Sequence, residues 1–205
     1  RFNTPLRPAR SPSRVLRLGH MVLGTPRWDV TTRFYIETLG LIPSDVQALP
    51  DGQPAVAFMR CDRGEQCTDH HTFVVARLPV VDLEHAAFEV PGLDDVGMGG
   101  EVLREGGFSR AWGIGRHILG SQIFDYWFGP DGHKFEHFAD GDLFDAARPT
   151  RYHAMSVAGL AQWGPAVPAA FLRPRLGWRE MLALIRNLFG GSGFGFRELR
   201  LLATA

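Results

Sequence analysis

Cysteine is scarce in this sequence, and this scarcity limits the classes of protein that the chain can represent. The 205 residues include only two cysteines, Cys61 and Cys67. Their C-x5-C spacing is not a zinc signature, and there is no second pair to complete one. A single pair also offers no disulfide framework, which is the usual support of small secreted domains. We therefore expect a reducing compartment, the cytoplasm.

Long apolar runs and a surplus of either charge are also missing. No stretch of 18 apolar residues occurs, so no transmembrane helix and no membrane partner are expected. Lys and Arg total 22, and Asp and Glu also total 22, which gives a formal net charge of zero. A nucleic-acid partner is not expected, because phosphate binding requires a basic surplus. Apolar residues make up 45% of the chain, which is the composition of an ordinary globular protein.

The first fourteen residues, RFNTPLRPARSPSR, differ from the rest because they are rich in Pro and Arg. Such a composition predicts a linker over residues 1–14. The chain begins with Arg1 rather than Met, so we expect a further segment to precede it in the full gene product.

Two regions, about 15–77 and 80–145, repeat one order of elements: a strand, a helix and then further strands. In the first region, VLRLGHMVLG alternates like a strand and PRWDVTTRFYIETLGL has helical spacing, with Trp28, Phe34, Tyr35 and Leu39 apolar and Gly40 at its end. The segments AVAFMRC and HHTFVVARL then predict strands. The order indicates a module of the βαβββ kind.

The second region follows the same order. DLEHAAFEV predicts a strand, LDDVGMGGEVLREGG a glycine-weakened helix, and SQIFDYWF and HKFEHFA two strands joined by the turn sequence GPDG. The sequence therefore predicts an α+β fold built from an internal repeat of two βαβββ modules.

A third region, 146–205, does not follow the repeat. Its helical segment REMLALIRNLF places five apolar residues on one face, and FGFRELRLLA predicts a second short helix. From Arg173 onward there are six Arg against two Glu. We interpret the region as a C-terminal helical arm that packs on its own domain or on a neighbouring subunit. An interfacial membrane helix is the alternative. The apolar face consists of Met181, Leu182, Ile185, Leu188 and Phe189.

Three residues with metal-binding side chains lie where strand alternation predicts buried faces: His20, His85 and Glu136. His20 and His85 lie 65 positions apart, at the same point in the first strand of each module. Glu136 lies on a late strand of the second module, and a buried carboxylate needs a partner. Two neutral imidazoles and one carboxylate form the facial triad of non-haem Fe(II) enzymes. A lone histidine in a strand is more often structural, so the shared placement in the repeat is what favours a metal site.

A further histidine is expected near this metal site. In TDHHTFVVA either His70 or His71 must point inward, because neighbours in a strand face opposite sides. The 65-residue offset of the modules relates Glu136 to position 71. His71 is therefore expected near the place that Glu136 takes in the second module. If His71 does not bind the metal, it would be a free acid or base close to the ion.

Tyr126 and His117 complete the candidate site. A five-residue loop from Gly129 to His133 would put Tyr126 beside Glu136 on one face, whereas a four-residue loop would not. His117 precedes Tyr126 by nine residues. The structural alternatives are an aromatic core residue for Tyr126 and a surface-loop histidine for His117. We interpret the remaining histidines as solvent-facing or structural: His133, His137 and His153.

The segments LGHMVL, DHHTFVV, LEHAAFEV and GRHILGSQIFDYWFGPDGHKFEHF together resemble the vicinal oxygen chelate superfamily and, within it, the type I extradiol ring-cleavage dioxygenases. The resemblance covers about residues 15–145. It is closest to the catalytic C-terminal domain of the two-domain 2,3-dihydroxybiphenyl and catechol 2,3-dioxygenases. It implies a curved mixed sheet around a metal site and the cleavage of a catechol-type ring next to its diol by O2, in the degradation of aromatic compounds.

The resemblance also implies a role for each candidate residue. His20, His85 and Glu136 would bind Fe(II), or Mn(II) as in some members. His71 would be the active-site acid and base. His117 and Tyr126 would hydrogen-bond the substrate oxygens.

The sequence departs from this family in two ways. The usual N-terminal, non-catalytic double module is not part of the chain, which fits either a neighbouring domain or a one-domain variant. The arm of residues 146–205 extends beyond the usual catalytic domain, which suggests a lid over the pocket or a contact in a homo-oligomer.

Two rival functions share this fold. A glyoxalase-like, metal-dependent isomerase or lyase would need a fourth metal ligand, most naturally a Glu near position 71, where the chain has a histidine. A non-enzymatic cleft that binds a small aromatic compound or a drug would need no metal triad at all. The metal content of the protein separates these classes.

Overall fold

The structure, a computed structural model, describes residues 2–172, 177–191 and 193–204. Its strands are β1 Arg17–Thr25, β2 Ile42–Ala48, β3 Pro54–Arg60, β4 Thr68–Asp69, β5 Phe73–Arg77, β6 Asp82–Glu89, β7 Arg110–His117, β8 Ile123–Phe128, β9 Lys134–Ala139, β10 Leu143–Phe144, β11 Arg151–Ala154 and β12 Ala161–Trp163. Its helices are α1 Trp28–Arg33, α2 Leu93–Glu105, α3 Ala169–Leu172, α4 Trp178–Phe189 and α5 Phe196–Thr204, with a π-helical turn at Phe34–Thr38 and a 3₁₀ turn at Val157–Leu160.

Ten of these strands form one mixed sheet in the order β11-β2-β3-β5-β1-β6-β9-β8-β7-β12. The order is symmetric about its centre, where β1 and β6 pair antiparallel. On one side β1 pairs parallel with β5, and on the other β6 pairs parallel with β9. Leaving aside β4, which pairs with β10 in a separate two-stranded sheet, each half has the order strand, helix and three strands. The predicted α+β fold of two βαβββ modules is therefore confirmed.

The central strand pair shows the repeat residue by residue. His20 lies opposite Ala87, and Val22 lies opposite His85. If the two halves of the sheet are interchanged, each of these pairs takes the place of the other. His20 and His85 therefore occupy equivalent positions. The 65-residue offset inferred from the sequence therefore holds in the first strand of each module.

Strands β2 and β7 were not recognised in the sequence. In β2 the buried positions include Ser44, Asp45 and Gln47, which hide the apolar alternation expected of a strand. In β7 the chain contains Gly113 and Gly115, residues that ordinarily weaken a strand. A Cβ on Gly115 would lie 2.8 Å from the carbonyl oxygen of Trp163, so glycine is needed where β12 pairs with β7.

The sheet is strongly curved, and its topology requires this. Strands β11 and β12 pair with β2 and β7 at opposite edges of the sheet. Only residues 155–160 connect them, a link that reaches about 25 Å at most when fully extended. A flat sheet of ten strands would be about 43 Å wide, at about 4.8 Å per strand. The edges must therefore approach each other, which places the concave face around a central cavity.

Helix α1 forms where the sequence predicted it and ends before Gly40, which has the positive φ of +71° typical of a helix C-terminus. Trp28 is buried in a core cluster with Met59 and Val75. The predicted apolar face is only partly buried, because Phe34 and Leu39 are about half exposed. The π-helical turn changes the angular spacing of side chains, so a stripe spaced for an α-helix does not stay on one face.

The C-terminal arm has two parts with different packing. Residues 151–172 add β11, β12 and α3 to the sheet and its concave face. Helices α4 and α5 form as predicted, but most of the expected apolar face of α4 does not pack on the protein. Met181, Leu182, Ile185 and Phe189 are 50–75% exposed.

A polar contact instead anchors α4, since Asn187 donates a hydrogen bond to the carbonyl oxygen of Pro79 at 2.8 Å. Two arginines of the predicted basic surplus, Arg173 and Arg175, lie outside the described residues. None of the described helices is long and apolar enough to cross a membrane.

Candidate metal centre and catalytic cleft

Three side chains from the two halves of the sheet converge at the candidate metal centre: His20 from β1, His85 from β6 and Glu136 from β9. Nε2 of His20 and Nε2 of His85 lie 3.1 Å and 3.4 Å from Oε2 of Glu136, and the two nitrogens are 3.4 Å apart. Ligands about 2.1 Å from one ion are about 3.0 Å apart at right angles and about 3.4 Å apart at tetrahedral angles. The three atoms therefore fit around a single ion.

The Glu136 carboxylate is fully buried, and it has no hydrogen-bond partner at either oxygen within the described part of the chain. Buried polar atoms are nearly always paired, and a bare carboxylate in the interior is costly. The contact with His20 is short but lacks hydrogen-bond geometry, as expected when lone pairs point at a common centre. These features fit the binding of a divalent cation.

The second nitrogens of the two histidines differ in their partners. Nδ1 of His85 is hydrogen-bonded to the carboxylate of Glu84, which also accepts a hydrogen bond from Lys134. A carboxylate on the far nitrogen of a metal-binding histidine fixes its tautomer and raises its basicity. Nδ1 of His20 is buried without a partner among the described residues. Glu84 was missed in the sequence because strand alternation places neighbours of His85 on the opposite face.

His71 lies beside the triad, although not for the reason inferred from the sequence. Its ring packs on that of His20 with 4.2 Å between centroids. His70 and His71 precede β5 rather than lie within it, so strand alternation does not separate them and both are buried. Nδ1 of His70 and Nδ1 of His71 are 2.8 Å apart.

The position equivalent to Glu136 is taken by Val74, not by His71, and the predicted equivalence of His71 is wrong. Val74 pairs with Val22 in the first half, and Glu136 pairs with Ala87 in the second. Val22 and Ala87 are each two residues beyond the equivalent histidines. The two modules therefore differ in the number of residues between their first and last strands. An apolar side chain stands where a fourth metal ligand would have to be.

His117 and Tyr126 lie on the other side of the triad. The loop between β8 and β9 has five residues, 129–133, and Tyr126 is the cross-strand partner of Glu136, as the loop length predicted. His117, at the end of β7, contacts the carbonyl oxygen of Leu160 through Nδ1 at 2.8 Å and the hydroxyl of Tyr126 through Nε2 at 2.9 Å. The carbonyl requires a proton on Nδ1, so Tyr126 donates to Nε2.

Burial determines the protonation of these groups. It lowers the pKa of His117 and lowers that of His71 well below its ordinary value. Burial and then the charge of Glu136 raise the pKa of Tyr126 well above its ordinary value. The histidines are therefore neutral and the phenol keeps its proton at neutral pH, which suits general-base and hydrogen-bonding roles.

A cavity of about 230 Å³ joins these residues on the concave side of the sheet. The arm closes it, with Leu160 and Phe171 in its wall. Phe171 is held by its carbonyl oxygen, which accepts a hydrogen bond from Lys134 at 2.9 Å. The length of the arm suggested a lid over the pocket, but no motif in the sequence singled out Leu160 or Phe171. The cavity is lined by His20, His71, His85, His117 and Tyr126 together with Val22, Val56, Phe58, Val74, Trp112, Leu119, Leu160 and Phe171.

A second cavity of about 360 Å³ lies between α2 and the outer face of the sheet, and its wall includes Phe88, Leu103 and Trp127. Of the six predicted site residues only Glu136 borders it. The concave cavity is therefore the candidate site, because it joins the metal-binding group to the polar residues.

Comparison with known proteins places this site in a family. The chain is 35% identical over 159 residues to metapyrocatechase 2 of Cupriavidus necator, a match that covers 77% of this chain and 47% of that protein. It is 28% identical over 134 residues to an iron-dependent extradiol dioxygenase of Rhodococcus jostii strain RHA1, covering 60% of this chain and 43% of that protein. The chain thus spans less than half the length of these relatives.

A solved structure shows the same fold. The Mn(II)-bound glyoxalase from Novosphingobium aromaticivorans superposes with a TM-score of 0.69 at 25% identity, over 80% of this chain and 52% of that one. The profile of the Glyoxalase/Bleomycin resistance protein/Dioxygenase superfamily matches residues 17–137, which include all three members of the candidate metal centre. That match covers most of both repeated modules, so the chain belongs to this superfamily, the vicinal oxygen chelate superfamily that its sequence resembles.

Proposed function

We propose that this chain carries the catalytic site of an extradiol dioxygenase, which cleaves a catechol-type ring next to its diol with O2. We propose Fe(II) as the metal, with Mn(II) as the alternative. The two relatives named above support the activity, and the name of the Rhodococcus relative supports iron.

The observation that carries this proposal is the composition of the metal centre. It offers three protein ligands, and Val74 stands at the position that could have supplied a fourth. Three ligands on one side of an ion leave adjacent positions open, which is the arrangement of non-haem Fe(II) oxygenases. A diol and O2 both need such positions. A glyoxalase-like isomerase with four protein ligands is disfavoured for the same reason.

The cavity suits a small aromatic diol. Its volume of about 230 Å³ lies below the range of about 300–1,000 Å³ that is usual for ligand pockets. Apolar side chains such as Phe58, Trp112 and Phe171 surround the ring position, while the polar residues lie around the metal centre. When bound, the metal lowers the pKa of the diol hydroxyls and couples the diol electronically to O2.

The protein's own groups handle protons and orientation. His71 has an unoccupied Nε2 and a ring in the cavity wall, so it takes a proton from a diol hydroxyl and returns it during ring opening. The hydroxyl of Tyr126, whose proton is donated to Nε2 of His117, accepts a hydrogen bond from a hydroxyl of the substrate. Because the arm covers the cavity, these steps proceed away from bulk water.

We propose that the protein works in the cytoplasm. Its two free cysteines support this, because a reducing compartment keeps thiols unpaired. We propose a homo-oligomer that uses the exposed apolar face of α4, and light scattering of the purified protein tests this. Mutation of Met181 and Ile185 to Glu should then reduce the measured mass.

The test of the function is an anaerobic reconstitution followed by turnover. The protein is loaded with Fe(II) or with Mn(II), mixed with catechol, 3-methylcatechol or 2,3-dihydroxybiphenyl, and exposed to O2. Oxygen uptake and the visible spectrum are recorded together. We expect one O2 consumed per diol and a yellow ring-opened product. A Glu136→Gln protein should bind no metal and show neither signal.

Glu89→Gln is the matched control, since Glu89 also lies on a strand near the centre of the sheet but pairs with Arg17 outside the cavity. It should keep full activity. A protein that binds metal but isomerises an α-ketoaldehyde adduct of a thiol, without taking up O2, would establish the glyoxalase-like alternative. A protein that binds an aromatic ligand and no metal would establish the non-enzymatic one.

A further inference from the structure

A buried chain of three side chains leads away from the cavity behind His71. Nδ1 of His71 lies 2.8 Å from Nδ1 of His70, and Nε2 of His70 lies 2.6 Å from Oδ2 of Asp45. Asp45 belongs to β2 and is fully buried. Each contact is within hydrogen-bond distance, so the three groups form one continuous chain.

Asp45 is held as a carboxylate by several donors. Besides His70, it accepts hydrogen bonds from Nε of Arg151 at 3.0 Å and from Nε2 of His153 at 2.7 Å. Burial alone would raise the pKa of Asp45, but these donors outweigh it and lower the pKa well below the usual range. Arg151 and His153 come from β11, so the arm supplies two of the groups that fix the charge.

The fixed negative charge of Asp45 determines which ring nitrogens of His70 and His71 carry protons. A carboxylate only accepts, so Nε2 of His70 carries a proton and donates to Asp45. An imidazole with its one proton on Nε2 presents Nδ1 as a bare acceptor. The hydrogen bond between the two rings therefore requires a proton on Nδ1 of His71. The remaining nitrogen of His71, Nε2, is left without a proton.

The backbone around His70 holds this arrangement in place. The carbonyl oxygen of His70 accepts a hydrogen bond from Oγ of Ser44 at 2.6 Å, and its N–H donates to the carbonyl of Asp142 at 2.8 Å. Gly120 has a φ of +80°, and a Cβ there would lie 2.9 Å from Nδ1 of His70. The ring of His70 is thus confined on several sides.

We propose that Asp45, acting through His70, is a positioning residue that holds His71 as its Nδ1–H tautomer, with Nε2 as the acceptor that faces the cavity. The proposal rests on the proposed function for the role of His71 as acid and base. It adds the order of events: His71 begins a turnover as a base, because its cavity nitrogen starts without a proton. No other group in the wall needs to move for this.

The direct test is nitrogen NMR of the metal-free protein with isotope-labelled histidine. Long-range proton–nitrogen correlations distinguish a protonated from a bare ring nitrogen, and His71→Gln identifies the signals of His71. We expect a protonated Nδ1 and a bare Nε2 in the wild-type protein. If His71 of the wild-type protein instead shows a protonated Nε2 and a bare Nδ1, this result alone overturns the proposal.

The variant Asp45→Asn tests the source of the effect. An amide carries no charge and offers both a donor and an acceptor, so His70 loses its fixed tautomer and His71 should show a mixture of both. Asp51→Asn is the matched control, because it makes the same change at a carboxylate that pairs with Arg197 outside the cavity. An Asp45→Asn protein that is folded and has unchanged His71 signals would refute the role of Asp45.

Kinetics separate this proposal from the proposed function. With Fe(II) and catechol, Asp45→Asn should lower kcat on the order of 10- to 100-fold with little change in KM, the usual cost of losing an outer partner of a reactive group. Asp51→Asn should stay near the wild type. If the wild type shows the expected tautomer but cleaves no diol, the positioning stands and the proposed function falls. If it cleaves diols and Asp45→Asn does so equally well, the positioning falls.

Discussion

Val74 occupies in the first half of the sheet the position that Glu136 occupies in the second. Each is the parallel-strand partner of the residue two beyond an equivalent histidine. The repeat therefore supplies two symmetric histidines and only one carboxylate. This asymmetry determines how many positions on a bound ion remain open to small molecules.

A carboxylate at position 74 should change the chemistry of the site. In Val74→Glu, a fourth ligand would occupy a position that diol or O2 requires, so ring cleavage should be lost while metal binding tightens. Without metal, this variant should melt at least about 5 °C lower, since an unpaired buried carboxylate costs several kcal/mol and each kcal/mol lowers Tm by about 2–4 °C in a chain of this size. Melting curves with chelator and with Mn(II) check both effects.

The matched control is Val74→Gln, which has the same size without the charge. It should be destabilised in both conditions and should gain no more from Mn(II) than the wild type gains. Full oxygen uptake in Val74→Glu would contradict the assignment of position 74.

Removal of the carboxylate behind His85 should weaken metal binding. In Glu84→Gln, Nδ1 of His85 loses its anionic acceptor, and the affinity for Fe(II) or Mn(II) should fall about 10- to 100-fold. Isothermal titration with Mn(II) measures this directly. Glu101→Gln is a suitable control, because Glu101 pairs with Arg104 on the surface of α2. Equal affinities for both variants would show that Glu84 does not support the metal centre.

The stability of the metal-free protein should fall as the pH falls below about 6.5, the ordinary pKa of an unfolded histidine. Burial lowers the pKa of four histidines in the folded state, so the unfolded chain takes up protons there that the folded protein does not. Burial also raises the pKa of Asp125 to about 6, which acts in the opposite sense between about pH 4 and 6. Four groups outweigh one. The histidines are His20, His71, His117 and His137.

Thermal melts in chelator at pH 7.5 and 5.5 measure this dependence. The Tm should be lower at pH 5.5, and the difference should shrink in His71→Gln. A Tm that is equal or higher at pH 5.5 would show that these histidines are not buried as neutral groups.

The arm should control which diols are accepted. Phe171 packs against Trp112 and Tyr126 with 5.1 and 5.0 Å between ring centroids, and all three line the cavity. In Phe171→Ala, KM for substituted catechols should rise about tenfold, since lost apolar contact in a pocket costs about 1–3 kcal/mol. Catechol itself should change less. Phe189→Ala, on the exposed face of α4, should leave both values unchanged, and a rise there would place specificity outside the cavity wall.

The repeat made much of the fold and part of the site predictable. The pairing of His20 with His85 follows from one offset between two similar strands, and the place of Tyr126 follows from the length of one turn. Both inferences depend only on strand geometry. Local spacing of this kind is preserved wherever strands pair regularly.

Other features depend on contacts that no local pattern records. His70 and His71 lie just before β5, where alternation does not apply, so both are buried. Val74, and not His71, is structurally equivalent to Glu136, because the two modules differ in the number of residues between their strands. The face of α4 is apolar in sequence but exposed in the protein, since periodicity shows which face could pack and not what lies opposite it.

The six-residue link between β11 and β12 also limits how far the two edges of the sheet can move apart. Because it ties opposite edges of one sheet, the two halves cannot swing apart by more than its extended reach of about 25 Å. His20 and His85 lie on β1 and β6, which pair directly at the centre of the sheet, so that pairing sets their separation. Displacement of the cavity wall at Leu160 and Phe171 leaves this pairing intact, so the cleft can open without disturbing the metal centre.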